Sequence, residues 1–338
     1  APEGTILLLE AHPAVHRFIR VPRGFKEGNY RVFWSLAWRA RLGFALGRYR
    51  YDCAIYPPDD PEPLGSWIVA HLRAREKWIN PGSTANQFDW QRQWLRRFAT
   101  RVLQPRPGGG HELERNAFLA SQWGCAIEAE RPELPLSARA LTYASVLVGQ
   151  ARHAVRRARA GGLIGIVPAG SAPINQYPPE KWAAVIRKLW EEHQLLPAVL
   201  CTPKETTLLS QISQIIGDVP WHRFPSDCDI AVAAAIVSRL DGLISVDTGL
   251  AHAATAFDRP TVVLATGGMP DRFWPWPGET RTILLTKPTA CVGCGYRCTQ
   301  TTPHCLTEIS PQWIVDALLR AMNGRAIQPV AREYRHAG

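Results

Sequence analysis

The second half of the chain alternates short apolar runs with helical patterns, and this alternation constrains the fold most. Apolar runs at 163–167, 198–201, 243–246 and 261–265 are separated by helical stretches at 179–193, 203–216 and 229–240, and a last helix is expected at 311–322. Strands that return through a helix each time pair in parallel and are covered on both faces. The first half also reads as α/β. It gives strands at 5–11, 51–56 and 77–80, an extended piece at 17–21, helices at 33–48, 86–103 and 111–123, and a loop at 105–110. At 338 residues, and with a prior of roughly 100–200 residues per domain, the expectation is two Rossmann-like domains facing a cleft. Their expected bounds are 1–135 and 161–322, joined by a helix at 136–160 that Gly161 and Gly162 close, with a tail at 323–338.

Composition narrows the class. Hydrophobic residues make up 46% of the chain, enough for two cores. No apolar run reaches the ~18 residues a membrane span requires. The start, Ala1-Pro2-Glu3-Gly4, has no basic n-region, so no signal peptide is expected, and an initial Ala points to a processed or incomplete N-terminus. The formal net charge is +10, which suits an anionic partner: nucleotide, nucleic acid or acidic membrane surface. The basic residues cluster at Arg92, Arg96, Arg97 and Arg101, and again at Arg152, Arg156, Arg157 and Arg159, where a solvated helix face accounts for them equally. Of the eight cysteines, Cys53, Cys125, Cys201 and Cys228 are scattered in or beside apolar runs and read as buried thiols. That usage is not a secreted disulfide scaffold and places the chain in the cytoplasm.

Four segments carry candidate chemistry. Ser245-Val246-Asp247-Thr248-Gly249-Leu250-Ala251-His252 runs from a strand through a Gly turn into a small-residue helix. Such a turn gathers free backbone N–H groups at the carboxyl edge of a sheet, where anions and phosphates bind, although Asp247 or Thr248 as a plain cap fits equally. Gly165-Ile166-Val167-Pro168-Ala169-Gly170-Ser171 is a strand entering a loop of small residues that lets backbone approach a phosphate; it matches neither a GxGxxG nor a Walker fingerprint. Thr202-Pro203-Lys204-Glu205 fits a capping box, with Glu205 also placed to hold ribose hydroxyls. Cys291, Cys294, Cys298 and Cys305, with two, three and six residues between them, are spaced to close around a structural Zn or Fe; two disulfides or four free thiols are the alternatives.

The octapeptide, followed by Ala253-Ala254 and Asp258-Arg259-Pro260, resembles the signature of glycosyltransferase family 9, the lipopolysaccharide heptosyltransferases of GT-B fold. The Gly165–Gly170 segment, the Tyr177-Pro178 to Trp182 helix start and the Glu205 position stand in the same order, and the cysteine loop resembles one found in some members. The resemblance spans about residues 134–322. It implies a nucleotide-diphosphate sugar donor, an ADP-sugar by family default, bound by Gly170, Ser171, Asn175, Glu205, Asp247, Thr248, Gly249 and His252. It also implies an acceptor (glycan, glycolipid or protein) on the first domain, whose basic face suits peripheral contact with an anionic membrane. Two departures stand out. Asn175 occupies a place where the family has Lys, so Lys181, Lys204 or Arg272 must supply the missing charge. The family's first strand and its catalytic Asp have no counterpart, so the first domain reads as incomplete, with Asp59 and Asp60 as substitute bases. The expectation is an inverting glycosyltransferase with no catalytic metal and no nucleic-acid partner. A basic, zinc-stabilised nucleic-acid-binding protein and a catalytically inactive family member remain as alternatives.

Overall fold

The computed structural model describes residues 3–19, 36–58, 63–82, 89–128, 131–170, 173–278 and 280–324. The chain divides into two compact units: Arg17–Glu130 with Ala1–Glu3, and Gly4–His16 with Arg131–Gly338. The first described element corrects the sequence reading. Residues 5–11 are not a strand; helix α1 spans Glu3–Leu9, with Ile6 buried and Leu7 against the buried cluster around Ala140 and Leu147. A short continuous apolar run does not distinguish strand from buried helix, and Leu favours the helix.

In the first unit, α2 (Leu36–Gly47) precedes β1 (Tyr51–Tyr56), α3 (Pro63–His71), β2 (Ala74–Ile79), α4 (Asp89–Arg96), β3 (Arg101–Val102) and α5 (Glu112–Ser121). The strands pair in parallel in the order β1-β2-β3. Ala54, Val69, Ile79 and Leu95 form the core between sheet and helices. The helix expected over 86–103 is shorter, because the chain leaves it after Arg96 to add β3 at Arg101–Val102. Helix α5 starts on a capping box in which His111 Nδ1 accepts from Leu113 N–H and Glu114 accepts from His111 N–H.

The second unit continues with α6 (Ala138–Ala158), β4 (Gly162–Val167), α7 (Pro179–Glu191), β5 (Leu195–Val199), α8 (Thr206–Ile216), β6 (His222–Arg223) and α9 (Ile230–Val237). It ends with β7 (Gly242–Val246), α10 (Gly249–Ala256), β8 (Thr261–Leu264), β9 (Thr282–Leu285), α11 (His304–Thr307) and α12 (Pro311–Met322). Six strands pair in parallel in the order β6-β5-β4-β7-β8-β9. Successive side chains leave opposite faces of a strand. Ile164 and Ile166 therefore join Trp182, Ile186, Ile212, Ile314 and Leu318 on one face, while Leu163 and Val167 join Ala140, Ala151, Val232 and Ile236 on the other. Each face is closed by helices, as a parallel sheet requires.

Helix α6 ends on Arg159, which takes the left-handed conformation itself (φ 54), ahead of the expected glycine pair. Arg152 is not part of a solvated basic face. Its guanidinium forks onto Asp241 at 2.6 and 2.8 Å and also donates to Arg239 O, and Asp241 in turn accepts from Leu163 N–H at 2.7 Å. The pair thus pins the start of β4 to the start of β7. Among the described residues, no helix is long and apolar enough to cross a membrane.

Candidate functional site

Strand order in the larger sheet reverses between β4 and β7, whose successors run outward in opposite directions. The loops that leave the carboxyl ends of two such strands are the usual ligand position in an open α/β sheet. Pro168-Ala169-Gly170 follows β4, and Asp247-Thr248-Gly249 follows β7. The two loops touch: a β-carbon on Gly170 would stand 3.3 Å from Asn175 Cβ, 3.4 Å from Thr248 Cγ2 and 3.5 Å from Asp247 O. Asn175 Nδ2 donates to Asp247 O at 3.4 Å. Gly170, Asn175, Asp247 and Thr248 are therefore together, with Gly249 next in the chain. Ser171, Asp59 and Asp60 lie outside the described residues.

Thr248 is the N-cap residue of α10, with extended backbone and no side-chain cap bond; its hydroxyl instead pairs with buried Ser245 Oγ at 3.1 Å. The first N–H groups of α10 are thus not consumed by a Thr248 cap, and such groups attract anions. Asp247 Oδ1 accepts from Trp274 Nε1 at 2.8 Å and lies 3.7 Å from His252 Nε2. The His252 ring stacks on Trp274, with centroids 4.3 Å apart and planes 11° off parallel, and on Trp276 at 5.8 Å. Trp276 Nε1 donates to His252 Nδ1 at 3.1 Å. Both indoles are buried. Sequence reasoning passed over Trp274 and Trp276; the only signal was the Trp-Pro-Trp-Pro run within a chain of high Trp content.

Glu205 is a cap in fact. Thr202 N–H and Thr202 Oγ both donate to its Oε2, at 2.5 and 2.6 Å, and Lys204 N–H donates to Thr202 Oγ1. Of the cations expected to replace the absent Lys, Lys181 is turned away: its Nζ donates to Thr307 O at 2.6 Å. Arg272 lies within electrostatic reach of the Tyr296 phenol, and Tyr296 within reach of Asp247. Burial, then the Asp247 and Cys294 charges, push the Tyr296 phenol up, against the opposing pull of Arg272.

The structure brings the four cysteines of the loop together. Cys291, Cys294, Cys298 and Cys305 line one cavity of about 280 Å³, with Thr289, Gln300 and His304 among the other walls. Among the described residues, however, no three His, Cys, Asp or Glu side chains converge to hold an ion. The four thiols share that cavity without standing as a coordinating group in this structure. The loop is docked by its backbone. Gly293 N–H and Gly295 N–H bond to the carbonyls of Gly267 and Gly268, each at 2.8 Å, and Cys305 is carried separately on α11. Burial and the neighbouring thiolates keep the Cys305 thiol high in pKa.

That docking holds Tyr296, another residue the sequence did not reveal, in left-handed backbone (φ 61) with its ring on Gly268. A β-carbon on Gly268 would fall 2.5 Å from Tyr296 Cδ1. Gly268→Ala should therefore displace the ring and cost about 1–3 kcal/mol, the usual range for overpacking. The check is a lowered Tm together with faster reaction of the loop thiols with a thiol reagent. An unchanged Tm and unchanged thiol rates would contradict this packing.

Comparisons with known proteins identify the fold. A family 9 glycosyltransferase structure from Veillonella parvula superposes with a TM-score of 0.75 at 14% identity, over 96% of this chain and 87% of that one. E. coli ADP-heptose LPS heptosyltransferase II gives 0.65 at 19% identity, over 96% and 88%. E. coli heptosyltransferase WaaC, solved with ADP-2-deoxy-2-fluoro heptose, gives 0.59 at 18% identity, over 93% and 87%. These structures share the α/β GT-B fold expected from the sequence. No curated protein matches the chain. The model of glycosyltransferase family 9 (heptosyltransferase) matches residues 39–299, more than half of the chain, and the protein belongs to that family of glycosyltransferases.

Proposed function

We propose that the protein transfers a sugar, a heptose by family resemblance, from a nucleoside-diphosphate sugar to a cell-surface glycan, glycolipid or protein. The observation that carries this reading is the meeting of the Gly170 and Asp247–Gly249 loops at the switch point of the parallel sheet. The diphosphate would lie against the first N–H groups of α10, with Arg272 or Lys204 supplying the cation. Asp247 would accept hydrogen bonds from the sugar, and His252 would donate one. Glu205, held by its cap through Oε2, would receive the ribose hydroxyls.

In the reaction, a carboxylate takes the proton of the acceptor hydroxyl. The freed oxygen attacks the anomeric carbon from the face opposite the diphosphate, the bond to the diphosphate breaks, and configuration inverts. Charge then builds on the leaving diphosphate, where fixed backbone N–H groups and cations stabilise it without reorganising. We assign the base role to Asp59 or Asp60, which come after β1 and Pro57-Pro58 in the sequence. The acceptor belongs to that unit in this reading, and the setting is the cytoplasmic face of the membrane.

A thermal-shift screen with ADP-, GDP- and UDP-sugars tests the proposal. A ligand at about 100 times its Kd adds about 2.7 kcal/mol of stability. At roughly 2–4 °C per kcal/mol for a unit of this size, one nucleotide class should raise Tm by roughly 5–10 °C. If none of the three raises Tm at millimolar concentration, the donor assignment fails.

A further inference from the structure

His252 is held by contacts that together define its chemical form. Trp276 Nε1 lies 3.1 Å from His252 Nδ1. An indole N–H can only donate, so the imidazole nitrogen facing it must accept and can carry no proton. A neutral imidazole with a bare Nδ1 carries its proton on Nε2. That nitrogen is the one turned towards Asp247, 3.7 Å from Oδ1, on the carboxyl edge of the sheet. A cationic ring would set an Nδ1–H against the Trp276 N–H, two donors facing one another.

The ring is fixed as well as typed. It stacks on Trp274 at 4.3 Å and 11°, and on Trp276 at 5.8 Å and 23°. Both indoles are in turn anchored, being only 5% and 9% exposed. Trp274 also donates to Asp247 Oδ1 at 2.8 Å, so one aromatic wall orients both polar side chains.

We propose that Trp276 locks His252 as the neutral tautomer protonated on Nε2, while Trp274 orients Asp247, so that the site presents one N–H donor and one carboxylate to the sugar–diphosphate part of the donor. Trp274 and Trp276 are then positioning residues, acting through Asp247 and His252. The proposal rests on the donor-site reading above for its functional meaning, but the tautomer itself is a property of the unliganded protein.

The test uses long-range ¹⁵N–¹H NMR on the full chain with ¹⁵N-labelled histidine, His252 being assigned by its loss in His252→Gln. The expected result at neutral pH is a bare Nδ1 and a protonated Nε2 for His252. In Trp276→Phe, which keeps a ring and removes the N–H, the two nitrogens should move towards averaged tautomer shifts. Affinity for the sugar nucleotide should fall roughly tenfold, the usual effect of losing one polar contact. A His252 protonated on Nδ1, or on both nitrogens, in the wild type overturns the proposal whether or not Trp276→Phe folds. An unchanged tautomer in a folded Trp276→Phe overturns the lock. A locked tautomer in a protein that binds no sugar nucleotide supports the lock and sinks the donor-site reading, so the two failures are told apart.

Discussion

Asp247→Asn should lower kcat/KM for the sugar-nucleotide donor about a hundredfold, within the range for losing one charged group that acts at the reacting centre, while leaving the folded protein as stable as the wild type. Asparagine keeps an oxygen where Asp247 Oδ1 accepts the Trp274 N–H at 2.8 Å, so the buried indole stays satisfied and only the charge is lost. Asp247→Ala removes the acceptor too. It leaves a donor unpaired on Trp274, which is 5% exposed, and should cost a further ~1–3 kcal/mol of stability. Free nucleoside diphosphate, which has no sugar for the carboxylate to hold, should bind Asp247→Asn as tightly as wild type or more so, since an anionic neighbour has been removed. Parallel titrations with the sugar nucleotide and with the free diphosphate check this. Equal losses for both ligands would mean that Asp247 serves the phosphates or the loop, and that its assignment to the sugar is wrong.

The parts of this site that were legible from the sequence are those set by local chemistry. Apolar runs between helical patterns marked β4, β5, β7 and β8 to within a few residues, because a strand covered on both faces is mostly apolar; β4 and β7 are buried throughout. β1 fell on its expected bounds, Tyr51–Tyr56. The Gly turn after β7 and the capping box at Thr202 were equally local. What the sequence hid depends on the chain returning to itself. Trp274 reaches Asp247 across 27 residues and Trp276 reaches His252 across 24, so neither contact leaves a periodic trace. A left-handed Tyr296 breaks the preference for Gly or Asn at such positions and only the docked loop explains it. β6 is two residues long, His222 and Arg223, and both are polar, so it leaves no apolar run. β9 follows the Trp-Pro-Trp-Pro run, which reads as loop. The cysteine spacing was legible, and the four thiols share one cavity; what spacing does not give is how far apart their sulfurs stand, because it counts residues.

Trp182→Ala should be the most damaging single substitution to stability, and its conservative partner Trp182→Phe should separate stability from site geometry. Trp182 is fully buried among β4, β5 and α7, its ring edge-on to Tyr177 at 5.2 Å and 80°. Tyr177 is itself tied to the other end of the unit by a 2.6 Å bond from its hydroxyl to Ile309 O. Emptying so large a volume costs about 3–5 kcal/mol, which at roughly 2–4 °C per kcal/mol lowers Tm by roughly 6–20 °C. Phenylalanine fills most of the space but cannot donate to Pro168 O, which Trp182 Nε1 holds at 3.1 Å. That carbonyl belongs to the Pro168-Ala169-Gly170 loop, whose last residue lies against Asn175, Thr248 and Asp247. Trp182→Phe should therefore cost only about 1–3 kcal/mol, yet weaken nucleotide binding, since the loop loses its tether. Tm and nucleotide Kd measured on the same two variants decide the matter. A Phe variant with a lowered Tm and an unchanged Kd would show that the tether supports the core alone, and that the loop keeps its place by its contacts with β7.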